Sequence, residues 1–321
     1  MKRVNIGLLG LGNIGSGTYK VLELNRNHIE TTTGLDLLIT KILEIDTERD
    51  RGFMVAPGVF TQEPETIFSD PEIDIVIELL GGIEPATSYM VSALKAGKGV
   101  VTANKAALAE NYELLTETAS ASGAALRFEA SVGGGIPLIG AITEHLAANE
   151  FTELLGILNG TTNYILTKMG EEGHAYEDVL KEAQALGFAE SDPTADVEGY
   201  DVANKLSILM SLVFGKRVRP KDIPTQGITK ITSDDIAEAA AHGCVIKLLA
   251  SAFRKGDGVE YHVKPTWLNM NHPLADVRNE FNALFLKGNA VDDLMFYGKG
   301  AGPFPTASAV LGDVIAIAKG L

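Results

Sequence analysis

Residues 4–15 read VNIGLLGLGNIG, an apolar run of strand character that passes directly into a glycine-rich turn and then a helix. Each glycine has a physical task after a strand. Gly10 permits the tight turn, Gly12 leaves bare backbone against which a pyrophosphate can lie, and Gly15 lets helix and strand touch. Asn13 and Ile14 complete the turn, and the helix N-terminus behind them offers unpaired N–H groups and a favourable dipole to phosphate oxygens. The competing reading is a turn of purely structural use. The strand in front of it and the βα alternation behind it favour dinucleotide binding.

Working outward, the first helix has Tyr19, Leu22 and Leu24 as packing candidates, and strands are expected over residues 37–45, 74–79, 99–102 and 125–129. Helices are expected near 63–68 and over 85–96 and 104–120. Strands alternating with helices of this length imply right-handed crossovers and a mostly parallel sheet, which binds ligands beyond the carboxyl ends of its strands. The turn at Gly10 and the runs ELLGGIEP (78–85), TANKAAL (102–108) and EASVGGGIP (129–137) all fall at that end.

After Pro137 the texture changes. A helix is expected near 137–147, a strand over 151–159, helices through 160–185 and a longer one over 197–214. The run CVIKLLASAF (244–253) fits a strand or a strand–helix boundary, with strands following at 258–266, 281–286 and 291–297 and a last helix at 305–319. The fold class is therefore α/β, a Rossmann-type nucleotide-binding domain joined to a second, α+β domain. Residues 1–135 and 300–321 are assigned to the first and 136–299 to the second, because the small-residue face of the last helix suits a return to the first sheet.

The 321 residues carry 42 acidic and 27 basic side chains, a net charge of -15, which opposes nucleic-acid backbones and anionic membranes alike. The single cysteine, Cys244, excludes an internal disulfide and is expected as a small buried hydrophobe, in keeping with a cytoplasmic protein. No apolar run is long enough to span a bilayer, and no cleavage segment precedes the first strand. The six histidines, at 28, 145, 174, 242, 262 and 272, show no metal-ligand spacing.

Two further places bear on a nucleotide. The second strand ends in Glu44, Ile45 and Asp46, and either carboxylate could accept from an adenosine ribose, while Arg49 and Arg51 could offset the extra phosphate of NADP. Both NAD and NADP remain open, and solvated surface charge is an equally good reading of these four charged residues. Gly300, Ala301 and Gly302 offer either a second close approach of backbone to the cofactor or a plain helix start beside Pro303 and Pro305.

The chemistry is concentrated in ALGFAESDPTADVEGYDVANKLSIL (185–209), which places Glu190, Asp192, Asp196, Glu198 and Asp201 ahead of one lysine, Lys205. Asp201 and Lys205 are four apart and share a helix face, beside a stripe of Val202, Leu206, Leu209 and Val213 that puts the pair at the edge of a buried surface. An ordinary helix salt bridge is the plain alternative. One cation does not balance so many carboxylates, however, and an aminated substrate would supply the missing positive charge. A second lysine, Lys105, stands where the fourth strand meets a helix, either facing a nicotinamide or as a simple first-turn residue. The glycines of VGGGIP (132–137) suit an anion, a hard monovalent cation or a hinge. These features fit several small amino-acid or aldehyde dehydrogenases, and the glycine turn alone would also fit a non-catalytic nucleotide sensor.

The sequence resembles the homoserine dehydrogenase family along its length. The resemblance is carried by GLGNIG (10–15), IELLGGIEPA (77–86), VVTANKAALA (100–109), EASVGGGIPLI (129–139), GILNGTTNYIL (156–166), AQALGFAESDPTADVEGYDVANKLSIL (183–209), NHPLADV (271–277) and GKGAGPFPTASAV (298–310). It implies reversible NAD- or NADP-dependent conversion of L-homoserine to L-aspartate 4-semialdehyde, in threonine, methionine and isoleucine biosynthesis, by a homodimer. It further implies cofactor contacts at Gly10, Gly12, Asn13, Ile14, Gly15, Lys105, Gly187 and Gly302, and substrate contacts at Glu190, Asp196 and Asp201, with Glu190 on the amino group. Lys205 matches the family's proton donor and acceptor, with Asp201 as its partner. Glu129 and the carbonyls of Val132, Gly134 and Ile136 match positions that hold a sodium ion. Two departures stand out. Ile45 occupies a position where many NADP-using members have arginine, and the chain ends at Leu321 without the ACT-type regulatory domain of many relatives, so threonine feedback through such a domain is not expected.

Overall fold

The computed structural model describes residues 1–320; Leu321, the last residue of the expected returning segment, lies outside the described residues. The chain divides into two compact units, one formed by Met1–Gly135 together with the chain from Ala301, the other by Ile136–Gly300.

The first unit opens with β1 (Lys2–Leu9), α1 (Asn13–Thr33), β2 (Leu35–Leu43), β3 (Phe60–Thr61) and α2 (Glu65–Phe68). It continues with β4 (Ile75–Glu78), α3 (Ala86–Lys95), β5 (Gly99–Thr102), α4 (Lys105–Glu110), α5 (Tyr112–Ser122) and β6 (Leu126–Arg127). All six strands are parallel, in the order β3-β2-β1-β4-β5-β6. This is the Rossmann order, whose topological switch lies between β1 and β4. Val4, Ile6, Leu8, Ile75 and Ile77 are fully buried because helices cover both faces of the sheet, which also explains why β1 and β4 read as continuous apolar runs. The C-terminal helix Pro303–Gly320 packs on α1 in this unit, burying Ala307, Val310, Val314 and Ala318.

The second unit comprises β7 (Phe151–Ile157), α6 (Gly160–Glu172), α7 (Tyr176–Ala185), α8 (Thr194–Val197), α9 (Tyr200–Phe214), α10 (Ser233–Ala241), β8 (Cys244–Lys255), β9 (Gly258–Asn269), β10 (Phe281–Gly288) and β11 (Asp292–Lys299). Its five strands form an antiparallel sheet in the order β11-β10-β7-β8-β9. The run 244–253 is thus strand throughout. Residues Ile246–Ala252 are buried without alternation because one face meets Leu274 and Phe285 and the other meets α6 and α9, so no period was there to read.

Several expected elements differ. The helix expected over 104–120 breaks at Asn111, whose side chain donates to Ala107 O (3.3 Å) and Thr87 Oγ1 (3.1 Å), bonds that compete with the helical backbone. The helix expected over 197–214 breaks at Gly199, a left-handed residue (φ 83°), which places Asp201 in the first turn of α9. The helix expected near 137–147 is present but shorter, over residues 139–145, and its part Ala141–His145 is widened to π geometry, with Leu146 N donating to Ala141 O at 2.9 Å. Leu24 is 72% exposed rather than packed, since its side of α1 faces away from the sheet, and Cys244 is half-buried at the start of β8. Among the described residues no helix is long and apolar enough to cross a membrane.

Candidate active site

The glycine turn at the carboxyl end of β1 has the shape a pyrophosphate needs. Gly10 adopts a left-handed φ of 90°. A Cβ on Gly15 would lie 2.2 Å from Gly10 O, so the first turn of α1 can approach the strand only because no side chain is present. Gly12, the N-cap of α1, is the opposite case: a Cβ there would meet nothing within 4 Å. No side chain caps this helix, and its first turn holds no acidic residue, so the N–H groups of Asn13, Ile14 and Gly15 end beside open space. These residues fit a dinucleotide phosphate.

Four charged side chains near the end of β2 have different fates. Glu44 Oε2 accepts from Leu11 N at 3.0 Å, and Arg51 Nε donates to Leu11 O at 3.0 Å, so both brace the glycine turn. Arg51 spends its other donors on Asp46 O (2.7 Å), Arg49 O (3.0 Å) and the Glu44 carboxylate (3.2 Å). Burial opposes the charge on Glu44, but the N–H groups of Asp46 and Leu11 and the Arg51 guanidinium outweigh it and hold its carboxyl below the usual range. The side chains of Asp46 and Arg49 remain at the surface.

Lys105 opens α4, whose N-cap is Asn104, with Asn104 Oδ1 accepting from Ala107 N at 3.1 Å. Beneath it sits Glu78, wholly buried, a residue to which the sequence reading gave no separate role. Its carboxylate accepts from Thr102 Oγ1 (2.6 Å) and Leu80 N (2.8 Å), while Asn104 Nδ2 donates to Gly82 O (2.7 Å). The loops after β4 and β5 are thereby tied together under Lys105.

Glu129 is buried, and its N–H donates to Asp313 Oδ2 at 2.7 Å. Val132 is buried and Gly134 has a positive φ of 57°; Ile136, the first residue of the second unit, is also buried. Among the described residues no group of three or more His, Cys, Asp or Glu could hold a metal ion. Glu129 and three backbone carbonyls would be a different, all-oxygen donor set, of the hard kind that suits an alkali cation. Gly302 has a φ of 111° and precedes Pro303, the first residue of the C-terminal helix. Gly300 is explained by packing, since a Cβ there would overlap the Asn282 side chain.

In the second unit, Lys205 Nζ lies 2.7 Å from Asp201 Oδ2 and 2.6 Å from Leu158 O. Both side chains are buried, at 7% and 9% exposure, deeper than the edge position expected from the apolar stripe. Asp201 Oδ2 also accepts from Asn159 Nδ2 at 2.9 Å, and the same nitrogen donates to Asp196 Oδ1 at 2.7 Å. Asp196 Oδ2 accepts from Thr161 Oγ1 at 3.3 Å. Asp196, Asp201 and Lys205 therefore meet around the end of β7 and the start of α6. Nothing in the spacing of GILNGTTNYIL marks Asn159 or Thr161 for this position, because the carboxylates they meet lie 35 to 42 residues further along the chain.

The other acidic residues of the cluster go elsewhere. Glu198 accepts from Thr229 Oγ1 at 2.9 Å, and Asp192 accepts from Thr194, whose side chain and N–H both lower the Asp192 carboxyl. Glu190 is exposed, and among the described residues no donor reaches its carboxylate. The turn that carries it, with Gly187 at φ 77°, is anchored by Phe188, whose ring packs 5.0 Å from Tyr164 and whose carbonyl accepts from Thr161 at 2.6 Å. Burial, with the Glu182 carboxylate 2.6 Å away, pushes the Tyr164 phenol up to about 12.

Comparison with known proteins matches residues 10–129 to the family described as homoserine dehydrogenase, NAD binding domain, and residues 137–315 to the family described as homoserine dehydrogenase. The chain is 44% identical over 321 residues to the homoserine dehydrogenase of Bacillus subtilis, covering all of this chain and 74% of that protein. Its fold is similar to the crystal structure of a homoserine dehydrogenase from Thiobacillus denitrificans, with a TM-score of 0.95, 42% identity, and 99% and 74% of the two chains covered. It is also similar to a hyperthermophilic archaeal homoserine dehydrogenase solved in complex with NADPH, with a TM-score of 0.84, 25% identity, and 99% and 98% of the two chains covered.

Proposed function

This chain belongs to the homoserine dehydrogenase family and is an NAD(P)-dependent enzyme interconverting L-homoserine and L-aspartate 4-semialdehyde in amino-acid biosynthesis, and we propose that Asp201 and Lys205 handle the proton on its reacting oxygen. The observation that carries this assignment is the buried Asp201–Lys205 pair, 2.7 Å apart, at the mouth of the acidic segment 190–201. When bound, the cofactor supplies the hydride-transfer chemistry.

The chain's own residues bind, orient and move a proton. The carbonyl of Leu158 and the carboxylate of Asp201 orient Lys205 Nζ, which donates its proton to the aldehyde oxygen in the reducing direction and takes the hydroxyl proton in the other. Glu190, whose carboxylate no donor reaches among the described residues, binds the substrate ammonium, and Asp196 adds to the same negative field. Gly10, Gly12, Asn13, Ile14 and Gly15 cradle the pyrophosphate, with Gly187 and Gly302 as further backbone contacts, and Lys105 faces the nicotinamide half. Glu129 with the carbonyls of Val132, Gly134 and Ile136 holds a monovalent cation, sodium being the ion the family resemblance favours. The protein works as a homodimer. The half-exposed Met295 and Tyr297 on the edge strand β11 support an apolar contact through the second unit.

The test is absorbance at 340 nm with purified protein, L-aspartate 4-semialdehyde and each reduced cofactor, for the wild type and for Lys205→Met. Lys205→Met should lose roughly 10²–10⁴-fold in kcat, as removal of a general acid–base does. It should keep the wild-type Kd for cofactor. Near-normal turnover by the variant would remove the proton-transfer role.

A further inference from the structure

The peptide Leu158–Asn159 holds both members of the Asp201–Lys205 pair, and it does so with two different groups. The backbone carbonyl of Leu158 accepts from Lys205 Nζ, and the side-chain amide of Asn159 donates to Asp201 Oδ2. Asn159 Nδ2 reaches Asp196 Oδ1 with its second hydrogen. Its two distances, 2.9 and 2.7 Å, keep the carboxylate oxygens of Asp196 and Asp201 within about 6 Å of one another, a range in which two like charges disfavour each other. A neutral group with two donors placed between them offsets that repulsion and fixes which Asp201 oxygen faces the lysine.

The remaining atom of the amide anchors this bridge. Asn159 Oδ1 accepts from Thr162 N at 2.9 Å and from Thr162 Oγ1 at 3.0 Å, capping α6. The helix can start at that point because Gly160 lies against Glu280 O, where a Cβ would come within 2.7 Å. Asn159 is 6% exposed, so its orientation is set by these bonds and not by solvent. Serine or aspartate would cap the helix about as well, and threonine somewhat less well. Among the usual capping side chains only asparagine also presents two donors to two carboxylates.

We infer that Asn159 is a positioning residue for proton transfer, which binds Asp196 and Asp201 into one acidic wall and aims Asp201 at Lys205. The inference rests on the assignment of Asp201 and Lys205 as the proton-transferring pair. Asn159→Ser separates it from mere capping, because serine keeps an N-cap acceptor and loses the bridge. The expected result is a fall in kcat of roughly 10–100-fold, the scale of a misplaced catalytic group. The variant should also show a larger solvent deuterium isotope effect on kcat and an unchanged cofactor Kd, with a lowered Tm because two carboxylates lose a buried donor. Asn159→Thr, which also keeps a cap acceptor and loses the bridge, repeats the test if the serine variant does not fold. A lowered Tm with wild-type kcat and isotope effect would reduce Asn159 to a helix cap and overturn the proposal. Lys205→Met with normal turnover would instead sink the underlying assignment, so the two failures are distinguishable.

Discussion

Alanine substituted at Gly12 and at Gly15 should have separable effects, although the two positions lie in the same turn. At Gly15 the added Cβ would stand 2.2 Å from Gly10 O, whereas real Cβ atoms essentially never come closer than 3.0 Å to a neighbour. The first turn of α1 must then move by about 1 Å against a backbone oxygen that cannot swing aside, an overpacking strain in the upper part of the usual range, roughly 2–3 kcal/mol. Alanine's better helix propensity returns about 1 kcal/mol of that. A net loss of about 1–2 kcal/mol corresponds to a Tm lowered by roughly 2–8 °C in a domain of this size. Gly12 has φ -72° and ψ -155°, a φ open to alanine, and its Cβ would meet nothing, so Gly12→Ala should leave Tm nearly unchanged. On the proposed cofactor site that same methyl group would stand against the pyrophosphate, and a loss of at least about 1.4 kcal/mol raises the cofactor Kd tenfold or more. Calorimetric titration with NADH and NADPH, alongside thermal unfolding, reads both quantities. Wild-type affinity in Gly12→Ala would take the pyrophosphate away from this turn, and an unchanged Tm in Gly15→Ala would contradict the close approach on which the helix start depends.

Two further outcomes follow from charge. Lys247 is buried, with Nζ 3.0 Å from Asn163 Oδ1 and bonded to Val277 O, and desolvation lowers its pKa from 10.5 to about 8. Between those values the unfolded chain binds more protons than the folded one, so this group's destabilising cost is full below about pH 8 and is gone above 10.5. Wild-type stability relative to Lys247→Met should therefore rise by about 3 kcal/mol over that interval; parallel urea-unfolding curves for the two proteins from about pH 7.5 to 10.5 would show the reasoning wrong. At the end of β2, Arg51 is committed to the glycine turn and Arg49 is exposed. Arg49→Ala should therefore raise the KM for NADPH by about tenfold and leave that for NADH within about twofold, as loss of one charge-assisted contact to a 2′-phosphate requires; equal effects on both cofactors would exclude such a contact.

The sequence by itself determined the features set by neighbours along the chain. The strand, the three glycines and the following helix fix a turn open to phosphate, because φ, steric bulk and N–H direction are local properties. The alternation of strands and helices was enough for a parallel sheet, and the spacing of four residues was enough to put Asp201 and Lys205 on one face of α9. A local signal also exists for α10, where Thr232 and Asp235 form a capping box in the run TSDD. Folding in three dimensions decided the rest. Glu44 and Arg51 turn back onto Leu11, 33 and 40 residues away, which no local reading of the second strand could distinguish from surface charge. Lys205 meets Leu158 across 47 residues, and Asn159 meets Asp201 across 42. Those contacts exist only because β7 ends under the first turn of α9, and burial there turns an ordinary helix-face ion pair into a fixed and aimed one, since a side chain withdrawn from water keeps whatever orientation its few partners impose.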